Sequence, residues 1–361
     1  MSPTVVVIGG GYGGSAAAKA LDDVADVVLV EPKDAFFHAV GALRAVVDPE
    51  FLPRVFFPYD KLLTNGRVVR DRAVRVEPGR VTLASGEEIA ADYIVLATGS
   101  GYPFPAKSDV DDTAAAQLKY RQAHAALRAA DRVLLLGAGP VGLEFAGEIK
   151  DAWPRKKVVI VDPAADILGG YEPGLREEIR RQLTALDVRL VLGTALKENP
   201  PTAPGEHGTF HVTTVSDVDI TADIWFRCFG VVPSTAYLAG ALTDARLASG
   251  EVAVTDTLQV KGQDTVFALG DITDIPEAKR GGSAARHAAV VADNIKALMA
   301  GSGELVTYQP GPAAILLPLG PSGGAAQLPG QGVLGPEAAA QYKGADLLTG
   351  RFGKLFGTHT D

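Results

Sequence analysis

Two glycine-rich motifs are the residues whose types and spacing point most directly to chemistry. They are Gly9-x-Gly11-x-x-Gly14 and Gly137-x-Gly139-x-x-Gly142. The first glycine of such a motif permits a tight turn, the second lets a pyrophosphate approach the backbone, and the third lets the next helix pack closely on its strand. The N-terminus of that helix offers free N–H groups and the positive end of its dipole to phosphates. Each motif therefore predicts a dinucleotide site.

A carboxylate follows each motif at the end of a second β-branched run. Glu31 ends the run Val27-Val28-Leu29-Val30, and Asp162 ends the run Val158-Val159-Ile160-Val161. An acid at this point of a dinucleotide site accepts hydrogen bonds from the adenosine ribose. One glycine motif alone is equally compatible with a turn that only packs a helix on a strand. Two complete copies, each with its acid, favour two dinucleotide sites in one chain.

Cys228 is the single cysteine of the sequence. A disulfide within the chain and a Cys-x-x-Cys redox pair are therefore both excluded. Any redox chemistry has to come from a bound cofactor, which the protein binds and orients.

Composition and charge narrow the class of protein. The 361 residues carry a formal charge of −9 with a pI near 5.2, which argues against a nucleic-acid partner. No apolar run approaches the roughly 20 residues of a membrane span, and the sequence predicts no metal site. The N-terminus lacks a basic leader, and Ser2 stands where a myristoylation signal needs glycine. We expect a cytoplasmic protein without a transmembrane segment, and leave open a peripheral membrane location and a homodimer.

The order of predicted elements places one dinucleotide-binding unit inside another. Strand, glycine turn, helix and strand occur over residues 5–31 and again over residues 133–162, each with the length of a parallel crossover. The other predicted elements are β-rich runs at 67–96, a Pro- and Gly-rich linker at 99–105, a helix at about 113–129, a strand at 266–271, a helix at about 284–300, and a small β-containing domain from residue 308.

Several further motifs carry a family resemblance. Ala97-Thr98-Gly99 and Leu269-Gly270-Asp271 resemble motifs of flavoproteins with two dinucleotide-binding domains, the superfamily of glutathione reductase and type II NADH dehydrogenases. The run Asp34–Arg44, with its Phe-x-His-x-Val-x-Ala-Leu-Arg pattern, is more discriminating. Together with 142–149, 308–311, 345–348 and Gly353-Lys354, it resembles the ferroptosis suppressor and apoptosis-inducing-factor-like family of FAD-dependent NAD(P)H:quinone oxidoreductases.

The resemblance implies an α/β fold with two nested Rossmann-like dinucleotide-binding domains, as in glutathione reductase, plus a small C-terminal α+β domain. The expected FAD-binding domain comprises residues 1–108 and 248–307. The expected NAD(P)H-binding domain is 109–247, and residues 308–361 are expected to complete the flavin site.

The resemblance also implies which residues contact each cofactor. For FAD these are Gly9, Gly11, Tyr12, Gly13, Gly14, Glu31, His38, Arg44, Val74, Thr98, Gly99, Gly270, Asp271 and Lys354. For NADH they are Gly137, Gly139, Pro140, Val141, Gly142, Glu144, Asp162 and Gly230. Glu144 and Lys354 are the expected catalytic residues.

Three of these side chains, Glu144, His38 and Lys354, have an alternative interpretation. Glu144 either faces nicotinamide and flavin, as in the family, or only complements the dipole of its helix. Arg44 is expected to grip pyrophosphate oxygens bidentately. His38 is either a flavin contact or a core histidine with satisfied hydrogen bonds. Lys354 either reaches the reactive edge of the flavin, as in the relatives, or is an ordinary exposed lysine.

Three departures from the family pattern bear on the acceptor and on membrane attachment. Ser2 replaces the myristoylated glycine of mammalian relatives, Gly282 stands where the relatives' quinone region has a tyrosine, and Phe229-Gly230 replaces a Thr-Gly pair.

The expected activity is transfer of hydride from NADH to FAD and then of two electrons to a quinone or another small-molecule acceptor. A ferredoxin reductase, or an NADH-sensing flavoprotein with little turnover, remains as an alternative. Asp162 is followed by Pro163, Ala164 and Ala165, with no basic residue among them. The 2′-phosphate of NADPH would face this carboxylate, so we expect NADH to be preferred while NADPH stays open.

Overall fold

The computed structural model describes residues 2–358. The elements of the first 101 residues are β1 (Thr4–Ile8), α1 (Tyr12–Leu21), β2 (Asp26–Val30), β3 (Ala35–Phe37), α2 (Ala42–Val47), β4 (Phe56–Pro58), β5 (Arg67–Val69), β6 (Ala73–Glu77), β7 (Arg80–Leu83), β8 (Glu88–Ala90), β9 (Tyr93–Leu96) and β10 (Ser100–Gly101). Next come α3 (Thr113–Ala129), β11 (Arg132–Leu136), α4 (Pro140–Ala152), β12 (Lys157–Asp162), α5 (Pro173–Ala185), β13 (Val188–Leu192), β14 (Phe210–Thr213), β15 (Asp219–Ala222), β16 (Ile224–Arg227) and β17 (Val232–Pro233). The last are β18 (Val266–Ala268), α6 (Gly281–Met299), β19 (Ile315–Leu319), β20 (Gly323–Leu328), β21 (Gly332–Leu334), α7 (Pro336–Ala339) and α8 (Thr349–Leu355).

The first sheet has five parallel strands in the order β18-β9-β1-β2-β5. Its central strands are apolar on both faces because both faces are covered, as in β1, where Val5, Val6 and Val7 are fully buried. The helices α1 and α6 pack against each other on this sheet. Since the strands are parallel, the segments after β1, β2, β9 and β18 all emerge at one edge, where ligands of such sheets bind.

The second sheet repeats this arrangement with four parallel strands in the order β13-β12-β11-β16. The turn from β11 into α4 carries the second glycine motif, and Asp162 ends β12. The residues of this sheet lie between the strands of the first sheet along the chain, so the nested element order predicted from the sequence is observed.

The two segments that connect the sheets pair with each other. β10 and β17 form an antiparallel ribbon in which Ser100 faces Pro233 and Gly101 faces Val232. The segment predicted as a linker at 99–105 therefore contains a short strand. The local sequence does not predict this strand because its partner, β17, lies far away along the chain.

The C-terminal segment folds as an antiparallel sheet, β19-β20-β21, followed by α7, a π-helical turn (Ala340–Gly344) and α8. It packs closely on α4, since a Cβ atom added at Gly147 would lie 2.4 Å from Leu319 Cα. Phe356, just after α8, is fully buried in the core of the first sheet. The tail thus contacts both sheets, while residues 359–361 of the predicted C-terminal domain lie outside the described residues. None of the helices within 2–358 has the length and apolar character needed to cross a membrane.

Candidate active site and dinucleotide sites

The first glycine motif forms the turn between β1 and α1. Gly9 has a φ of +100°, a backbone conformation that glycine adopts without strain. A Cβ atom at Gly14 would lie 1.8 Å from the Gly9 carbonyl oxygen, so α1 approaches β1 at a distance only glycine allows. At Gly11, the N-cap of α1, an added Cβ would meet no atom of the chain within 4 Å. The backbone is therefore open to a ligand at Gly11 and closed at Gly14.

Glu31 braces this turn from the end of β2. Its carboxylate accepts hydrogen bonds from the Gly10 N–H at 2.6 Å and from the Lys33 N–H at 2.9 Å. Burial raises the pKa of Glu31, while these two backbone N–H groups oppose the rise. The acid of the first motif thus fixes the loop and also lines the cavity beside it.

The second glycine motif has the same geometry. Asp162 accepts from the Ala138 N–H at 2.6 Å and from the Ala164 N–H at 2.7 Å. A Cβ atom at Gly142 would lie 1.9 Å from the Gly137 carbonyl oxygen, whereas one at Gly139 would meet nothing within 4 Å. In both motifs, therefore, the third glycine packs against the backbone of the turn and the second glycine is open to a ligand.

A cavity of about 2370 Å³ runs along the edge of the first sheet and between it, α4 and the C-terminal segment. It is lined by most of the predicted FAD residues and by part of the predicted NADH set: Gly9, Gly11, Tyr12, Gly13, Glu31, Val74, Thr98, Gly99, Gly270, Asp271 and Lys354, and Pro140, Val141 and Glu144. Gly14, His38, Arg44, Gly137, Gly139, Gly142, Asp162 and Gly230 are not among its lining residues.

The segments after β9 and β18 meet at the cavity through side chains that the sequence did not single out. Asp271 accepts from the Ser100 hydroxyl at 2.5 Å and lies 3.3 Å from the Lys107 ammonium. Thr98 donates to the Ser234 carbonyl oxygen at 2.6 Å, and its oxygen lies 2.9 Å from the Tyr237 hydroxyl. Ser100, Lys107 and Tyr237 all line the cavity.

Glu144 lies in the second turn of α4 and is paired with a lysine that was not predicted. Lys343 Nζ donates to Glu144 Oε1 at 2.7 Å, and both side chains are largely buried. Burial raises the pKa of Glu144, and the Lys343 ammonium opposes the rise, followed by the Arg280 guanidinium. Lys354 lines the same cavity from α8, with an exposed side chain.

Arg44 lies outside the cavity, in a buried ion pair. Its guanidinium donates to both carboxylate oxygens of Glu148, at 3.0 and 2.8 Å, and to the Ala345 carbonyl oxygen at 3.1 Å. The bidentate grip predicted for a pyrophosphate is thus made to a carboxylate of α4 instead. Arg44 joins α2 to α4 and to the C-terminal segment.

His38 is buried next to the first motif and joins it to the tail. Its Nε2 lies 2.7 Å from the Leu347 carbonyl oxygen, and its Nδ1 lies 3.0 Å from the Tyr12 hydroxyl. Burial lowers the pKa of His38 to about 4. The Tyr12 ring also packs edge-on against Phe352 of α8, at 5.1 Å between centroids, so α8 is held beside the start of α1.

The cavity and the two glycine motifs define a class of protein. The chain belongs to the pyridine nucleotide-disulphide oxidoreductase family, since the model of that family matches residues 3–292. It is accordingly an oxidoreductase that uses FAD and NAD(P)H, as the sequence predicted.

The curated relatives narrow the class. The chain is 31% identical to apoptosis-inducing factor homolog B of Dictyostelium discoideum, over 96% of this chain and 95% of that protein. It is 34% identical to ferroptosis suppressor protein 1 of Taeniopygia guttata, over 91% of this chain and 89% of that protein. The predicted resemblance to this family is confirmed.

Two solved structures share the fold over nearly their whole length. The sulfide:quinone oxidoreductase of Aquifex aeolicus aligns with a TM-score of 0.79 at 19% identity, over 99% of this chain and 92% of that chain. NDH2 of Plasmodium falciparum, in complex with NADH, aligns with a TM-score of 0.73 at 11% identity, over 99% and 98%. The expected α/β fold with Rossmann-like domains is confirmed.

Proposed function

We propose that this flavoprotein oxidises NADH and reduces a quinone. The observation that carries the proposal is the wall of the cavity beyond Glu144. Small and apolar residues from the start of α6 and from the C-terminal segment make up most of this wall, beside the cationic side chains of Arg280, Lys343 and Arg351: Gly281, Gly282, Pro312, Ala313, Ile315, Leu316, Leu328, Pro329 and Leu348. An apolar wall of this kind suits a flat, uncharged acceptor and excludes water from its surroundings.

The single cysteine supports the same proposal. Cys228 is buried at the end of β16, and burial raises the pKa of its thiol to about 12. A thiol at that pKa is a poor nucleophile, and the chain offers no second cysteine. Electrons therefore reach the acceptor without a disulfide relay, which removes disulfide substrates and favours an acceptor that enters the cavity itself.

The residues at the sheet edge fit FAD. The open side of Gly11 at the N-terminus of α1 suits a pyrophosphate, Glu31 suits the adenosine ribose, and Asp271 suits the hydroxyl groups of the ribityl chain. The chemistry that FAD supplies when bound is to take hydride from NADH and deliver two electrons to the acceptor. Gly139 and Asp162 are proposed to hold NADH in the same manner. We infer that Glu144, with Lys343 as its partner, and Lys354 are the charged side chains nearest the reaction.

An acceptor screen tests the proposal. The yellow protein, purified whole, is mixed anaerobically with NADH and then with a soluble quinone or a ferredoxin, and flavin absorbance reports reoxidation. Rapid reoxidation by the quinone alone is expected. Reoxidation by the ferredoxin alone would replace the proposal with a ferredoxin reductase. Slow reoxidation by both, with an NADH-dependent change in molecular size, would indicate a sensing role.

Glu144→Gln is expected to slow the NADH-driven reduction of the flavin by roughly tenfold, about 1.4 kcal/mol, and to change its reoxidation less. The reason is that the neutral amide no longer pairs with the Lys343 ammonium at the α4 side of the cavity. Stopped-flow absorbance measures both half-reactions. Asp151→Asn, an exposed change on the same helix, is the control. Equal reduction rates in wild type and Glu144→Gln would remove Glu144 from the reaction.

Asp162→Ala tests coenzyme choice. We expect NADH to be preferred over NADPH by about 10- to 1,000-fold in kcat/KM, since each 1.4 kcal/mol of repulsion is worth tenfold. The basic residue Lys157 begins β12 and Asp162 ends it, so Lys157 lies too far away to bind a 2′-phosphate. The preference should shrink in Asp162→Ala, measured with both coenzymes and one quinone. Equal efficiency of the two coenzymes in the wild type would contradict the ribose contact.

A further inference from the structure

A buried histidine accepts a hydrogen bond from the backbone of the turn that is predicted to contact FAD. His287 lies on α6 with 2% of its side chain exposed. Its Nδ1 lies 3.0 Å from the backbone nitrogen of Gly270, and its Nε2 lies 2.8 Å from Glu277 Oε1. The ring thus bridges a backbone N–H on one side and a carboxylate on the other.

The two partners determine which nitrogen carries the proton. A backbone N–H can only donate, so Nδ1 must be an unprotonated acceptor. A carboxylate accepts, so Nε2 must carry the hydrogen that it donates to Glu277. The ring is therefore neutral, with its proton on Nε2. Burial lowers the pKa of His287, which agrees with this neutral form.

The other charged and titratable groups around the ring have partners of their own, and His287 is the group that accepts from the Gly270 N–H. Glu277 also accepts from the Tyr308 hydroxyl at 2.9 Å and from Arg286 at 3.2 Å, so its carboxylate is fixed in place. Lys279, the remaining nearby cation, pairs with Glu251 at 3.0 Å. Arg286 and Lys279 both disfavour a proton on the ring, whereas Glu277 favours one.

Gly270 is the hinge of the turn that presents Asp271 to the cavity. Its φ of +72° is a glycine conformation, and a 3₁₀ turn runs from Gly270 to Ile272. Asp271 is oriented from its other side by Ser100 and Lys107. The hydrogen bond from the Gly270 N–H to His287 is therefore the contact through which the buried residues fix the position of this turn.

We propose that His287 is a positioning residue for FAD whose neutral ring holds the Gly270–Asp271 turn, so that protonation of the ring weakens FAD binding. The inference rests on the proposed placement of FAD at this turn. A protonated ring donates from both nitrogens and presents an N–H to the Gly270 N–H. FAD affinity is then complete above the folded-state pKa of His287 and is lost as the pH falls through it. Because that pKa lies below the ordinary 6.5, the loss falls on the acid side of pH 6.5.

Titration of the full-length apoprotein with FAD, followed by quenching of flavin fluorescence from about pH 5 to 8, tests this. His287→Asn keeps an acceptor oxygen where Nδ1 stands but cannot gain a proton. His287→Leu removes the acceptor. We expect the wild-type dissociation constant to rise as the pH falls below 6.5. His287→Asn should have a flatter profile, and His287→Leu should bind about tenfold more weakly at every pH. Glu31 is present in all three proteins, so its contribution to the pH dependence of FAD binding cancels when they are compared.

Identical pH profiles for wild type and His287→Asn would overturn the inference, whether or not His287→Leu folds. Failure of the wild type to bind FAD at any pH would instead overturn the proposed FAD site. Nitrogen-15 NMR of histidine-labelled protein gives a second readout, in which the signals lost in His287→Asn identify the ring. A neutral ring with the proton on Nε2 is expected at pH 7.5, and a proton on Nδ1 would contradict the proposal.

Discussion

Gly11→Val is expected to give a folded protein that is colourless, with less than about a tenth of the wild-type FAD content. Gly11 has φ −71° and ψ −165°, an extended conformation that valine adopts readily. An added Cβ meets no atom of the chain within 4 Å. The valine therefore costs the protein itself little and projects where a pyrophosphate has to approach the backbone.

Gly139→Val is the matched variant in the second motif. Gly139 has φ −75° and ψ −179°, and its added Cβ likewise meets nothing within 4 Å. This protein should stay yellow while its dissociation constant for NADH rises by about 100-fold or more, equivalent to about 2.7 kcal/mol. Flavin absorbance after purification and anaerobic NADH titration measure the two effects, and each variant serves as the control for the other.

The third glycine of the motif gives the opposite expectation. Gly14→Val places a Cβ 1.8 Å from the Gly9 carbonyl oxygen, so the fold itself is expected to suffer. Circular dichroism and melting temperature separate this outcome from cofactor loss. A fully loaded yellow Gly11→Val protein, or loss of FAD from Gly139→Val, would contradict the assignment of the first motif to FAD and the second to NADH.

The regular part of the fold was predictable because its signals are local. Each glycine motif follows a run of buried β-branched residues and precedes a helix, and a parallel sheet places such turns at one edge. The predicted helix at 113–129 is observed as α3 with the same bounds. The helix predicted at about 284 instead begins at Gly281, because glycine disfavours a helix and Ser283 resembles an N-cap residue.

The contacts of the C-terminal tail were not predictable in the same way. The tail contains two lysines, Lys343 and Lys354, and the sequence favoured Lys354 through the motif around it. The structure pairs Lys343 with Glu144, which is 199 positions away along the chain. No periodic pattern encodes such a pairing, because it depends on how β19 packs against α4. The signal that could have identified Lys343 is the need of the buried Glu144 carboxylate for a cationic partner.

The same limit applied to Arg44, whose expected phosphate role followed from its type and from the family motif. Its carboxylate partner, Glu148, lies one helical turn after Glu144 on α4. In the sequence, a carboxylate at that position resembles an ordinary helix residue. Its pairing with Arg44 follows only from the packing of α2 on α4. Ion pairs between elements that are distant in sequence are therefore the part of the site that could not be predicted without the fold.

Removal of the Arg44 guanidinium is expected to be strongly destabilising. Arg44 and Glu148 have side chains only 7% and 4% exposed. Breaking a buried pair leaves one charge without compensation, which typically costs about 3–5 kcal/mol. We therefore expect Arg44→Met to lower the free energy of unfolding by about that amount, measured by urea denaturation of the FAD-loaded protein. Arg181→Ala, which removes the exposed pair with Glu178, is the control and should leave the denaturation midpoint unchanged.

A second substitution and a pH series identify the cause. Replacing Glu148 with leucine as well removes the stranded carboxylate, so Arg44→Met/Glu148→Leu should recover much of the loss. Burial raises the pKa of Glu148, a rise that Arg44 opposes in the wild type. Without the guanidinium, the folded-state pKa rises further above the unfolded value. Stability of Arg44→Met should therefore decline as the pH rises from about 4.3, the ordinary glutamate pKa, through the folded-state pKa. A deficit that is independent of pH and persists in the double variant would show that Arg44 acts by packing alone.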